Sequence, residues 1–84
     1  MILGQKIEAS EEELKAIKGL KLNFDIEESK EQLLGRIGND INEYNIMIED
    51  YNQVKSQRVK QYISNELNTL FSRIRLNRDK AEVI

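Results

Sequence analysis

The residues of this chain best suited to chemistry are its carboxylates, because the sequence contains neither histidine nor cysteine. They cluster at residues 11–13, at residues 27–28 with Glu31, and at residues 49–50. General acid–base catalysis needs carboxylates whose surroundings push their pKa values apart inside a cleft. Each cluster instead falls in the first turn or on the polar face of an expected helix. We interpret all three as solvated charge and predict that the protein is not an enzyme.

Two further segments carry groups that resemble ligand sites. Residues 39–43 offer oxygen ligands, but their spacing departs from that of a calcium-binding loop and they fall within a helical stripe. Gly35 and Gly38 lack the lysine and the preceding strand that a phosphate-binding loop requires. We therefore expect no metal and no cofactor, and we interpret the two glycines as the mark of a close helix contact.

Length and composition favour one small domain that spans residues 1–84. Charged residues make up 33% of the chain and apolar residues 39%, which suits amphipathic helices with solvated outer faces. Without cysteine or histidine, disulfides and the usual zinc sites cannot stabilise so small a core, so apolar packing must do so. No apolar run approaches the roughly 18 residues of a membrane span. The sequence therefore predicts a cytoplasmic protein with no membrane contact.

The first part of the chain, residues 1–25, is predicted to be an arm with a short helix and an extended segment. Ser10 and Glu13 have the spacing of a capping box, in which each side chain accepts a hydrogen bond from the other residue's backbone N–H. The helix that follows is expected to end near Gly19. Residues 20–26 alternate apolar and polar side chains, which predicts an extended segment.

The rest of the chain, residues 26–79, is predicted to be helical. Apolar residues recur three and four positions apart in two stripes. The first stripe contains Leu34, Ile37, Ile41, Tyr44, Ile48 and Tyr51, and the second contains Val59, Ile63, Leu67, Leu70 and Ile74. The stripes are centred about a quarter turn apart, with the shift among residues 52–58.

Two structures are compatible with this shift. The chain turns back as a helical hairpin, with Asn52 left-handed and Ser56 capping the second helix, or one helix of about 75 Å runs through. Since residues 53–58 contain no glycine or proline, we favour the continuous helix. The expected fold class is mostly α, with coiled-coil-like self-association into a dimer.

Charge is unevenly distributed along the chain. Residues 1–54 carry 12 acidic and 6 basic side chains, whereas residues 55–80 carry 7 basic and 2 acidic ones. We interpret the asymmetry as attraction between the two halves. The alternative is a dimeric nucleic-acid-binding regulator that uses Arg73, Arg75 and Arg78 of a basic C-terminal helix.

Residues 64–68, Ser-Asn-Glu-Leu-Asn, resemble the Ser-Gln-Glu-Leu-Asp signature of the small aspartyl-phosphate phosphatases, which are short helical hairpins that act on response regulators. The resemblance covers five residues and departs at Asn68, where those phosphatases have their functional aspartate. The resemblance implies a phosphatase activity, but the aspartate on which that activity depends is replaced by Asn68. The sequence is not assigned to that family.

The function that we expect is binding to another protein. On a continuous helix the three tyrosines, spaced by 7 and 11 residues, point within about 20° of each other, and tyrosine is enriched at interfaces. The expected partner-binding residues are Leu22, Phe24, Tyr44, Tyr51 and Tyr62. The sequence thus predicts a small adaptor or inhibitor, of the sort that phages and mobile elements encode, for a partner it does not identify. A structural scaffold or assembly subunit is a further alternative.

Overall fold

Most residues that the structure describes are helical. A computed structural model describes residues 4–19 and 30–83. The described helices are α1 (Glu11–Gly19), α2 (Lys30–Gln53) and α3 (Gln57–Val83), and no β-strand occurs in these ranges. The predicted mostly α fold, in which a short N-terminal helix precedes long ones, is confirmed. None of these helices is both long and apolar enough to cross a membrane. The extended segment predicted at residues 20–26, with Leu22 and Phe24, lies outside the described residues.

The continuous helix that the sequence favours is wrong, because α2 and α3 form an antiparallel hairpin around residues 54–56. Arg73 bonds to Asp40, 33 residues earlier, which requires the chain to reverse. Continuing the helix through residues 54–56 would gain at most about 1 kcal/mol, because helix propagation is only weakly favourable per residue. Each Leu or Ile that becomes buried contributes about 1.5–3 kcal/mol. Folding back is therefore favoured, since α3 covers the apolar stripe of α2 without a second chain.

The turn uses one of the two devices predicted for a hairpin. Ser56 caps α3, because its Oγ accepts a hydrogen bond from the backbone N–H of Val59 at 3.4 Å. The left-handed conformation predicted for Asn52 is wrong, since no described residue other than glycine has a positive φ. Helix α2 runs through Asn52. Across the turn, Lys60 Nζ lies 5.3 Å from the centre of the Tyr51 ring, a cation–π contact that joins the two helix ends.

The core lies between α2 and α3 and follows the two predicted stripes with changes at their ends. Val59 was expected in the second stripe but is 43% exposed, whereas Asn77 and Ala81 extend that stripe beyond Ile74. Leu33 is buried beside the predicted stripe of α2. The buried apolar cluster contains Leu33, Ile37, Ile41, Tyr44, Ile48, Ile63, Leu67, Leu70, Ile74 and Ala81.

Helix α1 packs closely on α2 at Gly38. A Cβ placed at Gly38 would overlap Ile17 Cδ1 and would lie 2.7 Å from Ile17 Cγ1 and 3.2 Å from the Glu13 carbonyl oxygen. The close helix contact inferred from the glycines is therefore confirmed at Gly38. Helix α1 turns Glu13 and Ala16 inward, at 2% and 3% exposure, and leaves Leu14 50% exposed.

The arm ahead of α1 runs antiparallel to α2. Its course is marked by contacts from Gly4 to Asn52 and from Lys6 to Glu49. A third contact joins the Ile7 backbone to the Asn45 side chain. The arm thus starts near the C-terminal end of α2 and delivers α1 to the middle of that helix.

Candidate interaction surface

Two arginines of α3 form ion pairs with acidic residues from the first half of the chain. The first pair is bidentate: Arg73 Nε donates to Asp40 Oδ2 at 2.8 Å and Arg73 Nη2 donates to Asp40 Oδ1 at 2.9 Å. The Asp40 side chain is 10% exposed and that of Arg73 is 49% exposed. The hydrogen bonds from its guanidinium to Asp40 raise the pKa of Arg73 further. The predicted attraction between the two halves is confirmed here.

The second pair combines a capping box with an arginine. Ser10 Oγ accepts from the Glu13 backbone N–H at 3.2 Å, and Glu13 Oε1 accepts from the Ser10 backbone N–H at 2.7 Å. Arg78 donates to both Glu13 oxygens, at 3.0 Å from Nε and 2.9 Å from Nη2. The same Nη2 donates to the Glu8 carbonyl at 3.1 Å. One carboxylate thereby joins the start of α1 to the last turns of α3.

Glu13 departs from the interpretation of residues 11–13 as solvated charge, because its side chain is only 2% exposed. Burial alone would raise its pKa. Hydrogen bonds from Arg78 and Ser10, together with the positive charge of Arg78, outweigh burial and lower the pKa below its ordinary value of 4.5. Glu13 therefore stays ionised at neutral pH and is unsuited to general acid catalysis.

The three arginines proposed for nucleic-acid contact are not equivalent. Arg73 and Arg78 are held in the ion pairs with Asp40 and Glu13. Arg75 is exposed and lines an open cavity beside Asp79 and Glu82. Two of the three positive charges are thus balanced within the chain. This pairing lowers the positive electrostatic potential that would attract a phosphate backbone to this surface.

The three tyrosines do not share a face, because the hairpin separates Tyr44 and Tyr51 on α2 from Tyr62 on α3. Tyr44 is fully buried, and burial raises the pKa of its hydroxyl. The expectation that Tyr44 contacts a partner is therefore wrong for the folded chain, in which it is a core residue. Tyr51 is half-buried beneath Lys60, and Tyr62 is 66% exposed.

Large apolar side chains form a row on the outer side of α3. Tyr62, Leu76 and Val83 are 66%, 56% and 85% exposed. They are separated by multiples of seven residues, and the exposed Thr69 occupies the remaining position of the series. We call these four residues the outer row. A seven-residue spacing keeps side chains on one face of a helix with a drift of about 20° per step. This repeat outside the main stripe is the signal that the sequence interpretation missed.

Two open cavities lie where helices and the arm pack against each other. One cavity of ≈ 230 Å³ lies where α1 meets the C-terminal end of α3, and its lining includes Glu13, Lys30 and Arg78. Another, of ≈ 240 Å³, lies between Ile7 of the arm and Phe71 of α3. Across residues 4–19 and 30–83 no three carboxylates come close enough together to hold a metal ion.

Comparison with known proteins adds no relative: no family model, no curated protein and no solved structure matches this chain. The phosphatase-like segment at residues 64–68 therefore has no support from a family match. In the structure Asn68 is exposed on α3. The side chain at this position is therefore an amide in contact with solvent, where those phosphatases have a carboxylic acid.

Proposed function

We propose that this chain is a small non-enzymatic adaptor or inhibitor that binds another protein through the outer row of α3. The supporting observation is the exposure of Tyr62, Leu76 and Val83 on the part of α3 that lies outside its core-facing stripe. Apolar residues that stand singly are common on surfaces. What supports the proposal is that these three residues share one face of α3.

The spacing of the outer row indicates the kind of partner. Seven residues of α-helix span about 10.5 Å, so the row extends over roughly 32 Å. A partner helix that lies along α3 would meet one of these side chains every two turns, as in helix-in-groove and coiled-coil recognition. Tyr62 would supply the largest contact area, together with a hydroxyl for the rim of the interface.

A copy of the same chain is the competing occupant of the outer row, since an α3–α3 contact would give the homodimer that the stripes first indicated. Charges of both signs flank the row, since Arg58, Glu66, Asp79 and Lys80 each lie three or four residues from one of its members. The oligomeric state of the purified chain therefore decides between the two occupants.

The test is capture from lysate with two matched double variants. Tyr62→Ser with Leu76→Ser removes two members of the outer row. Leu14→Ser with Ile46→Ser removes two apolar residues that are similarly exposed, at 50% and 54%, on other elements. Binding that is lost with the first variant and kept with the second supports the proposal.

Three results would contradict it. Equal capture by both variants would show that the outer row is not the contact surface. Sedimentation of the purified chain as a dimer that Tyr62→Ser with Leu76→Ser converts to a monomer would assign the row to self-association. Capture that nuclease abolishes would favour the nucleic-acid alternative.

A further inference from the structure

The arm at residues 4–10 is bound largely through its backbone. The Asn45 side chain forms two hydrogen bonds with one residue: its Oδ1 accepts from the Ile7 N–H at 2.8 Å, and its Nδ2 donates to the Ile7 carbonyl at 2.9 Å. Arg78 and Asn52 donate to the carbonyls of Glu8 and Gly4. Backbone groups are common to all peptides, so these contacts would bind any extended segment placed in the same register.

The side chains of the arm contribute less. Ile7 and Ala9 are half-buried against the core, and the ion pair from Lys6 to Glu49 is 57% exposed at both ends. Exposed pairs of this kind add little stability. Beside Ile7 the cavity of ≈ 240 Å³ remains open, with Phe71, Ile74 and Arg75 in its lining. The arm therefore occupies this groove without filling it.

We propose that the groove between α2 and α3 is a docking site for an extended segment of a partner protein, and that the arm is an exchangeable occupant of it. The partner segment carries a basic residue opposite Glu49, followed by a bulky apolar residue that enters the open cavity. A small residue two positions later matches Ala9. The register is set by Asn45.

This inference rests on the proposed binding role but uses a different surface. The outer row lies on another side of α3 from the residues that line the groove, so the two surfaces can be tested separately.

The arm is attached directly to α1, which gives it an effective concentration on the order of millimolar. A partner segment must therefore bind better than the arm, and the larger apolar side chain provides that advantage by burying more surface.

The experiment measures peptide binding by fluorescence polarisation. The probes are a labelled peptide of residues 4–10 and the same peptide with Ile7→Phe. The receptor is the full chain with Lys6→Glu and Ile7→Pro, which remove the ion pair to Glu49 and the N–H that donates to Asn45, and which leave the capping box intact. We expect saturable binding, tighter for the Ile7→Phe peptide. Adding Asn45→Ala to the receptor should weaken binding roughly tenfold, since two hydrogen bonds are lost.

The control receptor adds Tyr62→Ser and Leu76→Ser to the weakened arm and should bind the peptides unchanged. This result separates the groove from the outer row, so that failure of one proposal leaves the other standing. Absence of binding to a receptor with native circular dichroism would overturn the groove proposal. Binding that is indifferent to Asn45→Ala would do the same.

Hydrogen exchange on the unmodified chain provides a test that needs no variant, so misfolding of a variant cannot affect its result. If the arm leaves the groove in the folded protein, the Ile7 amide should exchange at least roughly a hundredfold faster than the Ile41 amide in the core. Equal protection of the two amides would mean that the arm is released only by global unfolding. The arm would then be a fixed part of the fold and the proposal would be wrong.

Discussion

Replacing Glu13 by glutamine tests the link between α1 and α3 most directly. The variant keeps the size of the side chain but removes the charge that receives two hydrogen bonds from Arg78 and one from the Ser10 backbone. Truncating one partner of a fully buried ion pair costs about 3–5 kcal/mol. The Arg78 side chain is 40% exposed, so water recovers part of this loss. We therefore expect a loss of about 2 kcal/mol at pH 7.

The measurement is thermal unfolding followed by circular dichroism. In a domain of this size 1 kcal/mol corresponds to roughly 4–8 °C in Tm, so Glu13→Gln should lower the Tm by about 10 °C at pH 7. The control is Glu12→Gln in the same helical turn, where the side chain is exposed. That variant should change the Tm by no more than about 2 °C.

The difference in Tm between the parent chain and Glu13→Gln should change with pH in a definite direction. Because the pKa of Glu13 is lower in the folded chain than its ordinary value of 4.5, the ion pair contributes its full stability above that value. The contribution is lost as pH falls through the folded pKa. The gap in Tm between the parent chain and Glu13→Gln should therefore narrow at pH 3. A gap that stays constant from pH 7 to pH 3, or that Glu12→Gln reproduces, would refute this account of Glu13.

Three further predictions concern the helix contacts. Gly38→Ala should lower stability by about 1 kcal/mol in denaturant titration, because overpacking against α1 costs about 1–3 kcal/mol and alanine regains about 1 kcal/mol of helix propensity. Asn39→Ala at the neighbouring exposed position should be neutral or mildly stabilising. Asp40→Asn should cost about 1–2 kcal/mol, and combining it with Arg73→Ala should cost less than the sum of the two single changes in a double-mutant cycle. Ser56→Ala should cost about 0.5–1 kcal/mol through loss of the α3 cap, and an unchanged denaturation midpoint would contradict that role.

The parts of the fold that local patterns determine could be predicted from the sequence. The capping box at Ser10 and Glu13 depends on residues three apart, and the stripes depend on helical periodicity within each segment. The choice between hairpin and continuous helix could not be predicted in this way. Residues 54–56 contain no strong helix breaker, so the turn results from burial between α2 and α3, which no local signal reports.

The candidate surface was less predictable for the same reason. The inference that three tyrosines share a face assumed one helix, and it failed when the hairpin placed Tyr44 in the core. Tyr62 is exposed on α3, and its contact with a partner stays a prediction. The roles of Glu13 and Asp40 arise from arginines 65 and 33 residues away, and pairings at that distance are set by tertiary packing.

The pairing of Glu13 with Arg78 has a consequence for the order of events during synthesis. Arg78 is added 65 residues after Glu13, which at ribosomal rates of about 5–20 residues per second is a delay of roughly 3–13 seconds. Ser10 is only three residues from Glu13 and needs no distant partner. The nascent chain can therefore cap α1 early, while the attachment of that helix to α3 waits until the end of α3 has left the ribosome.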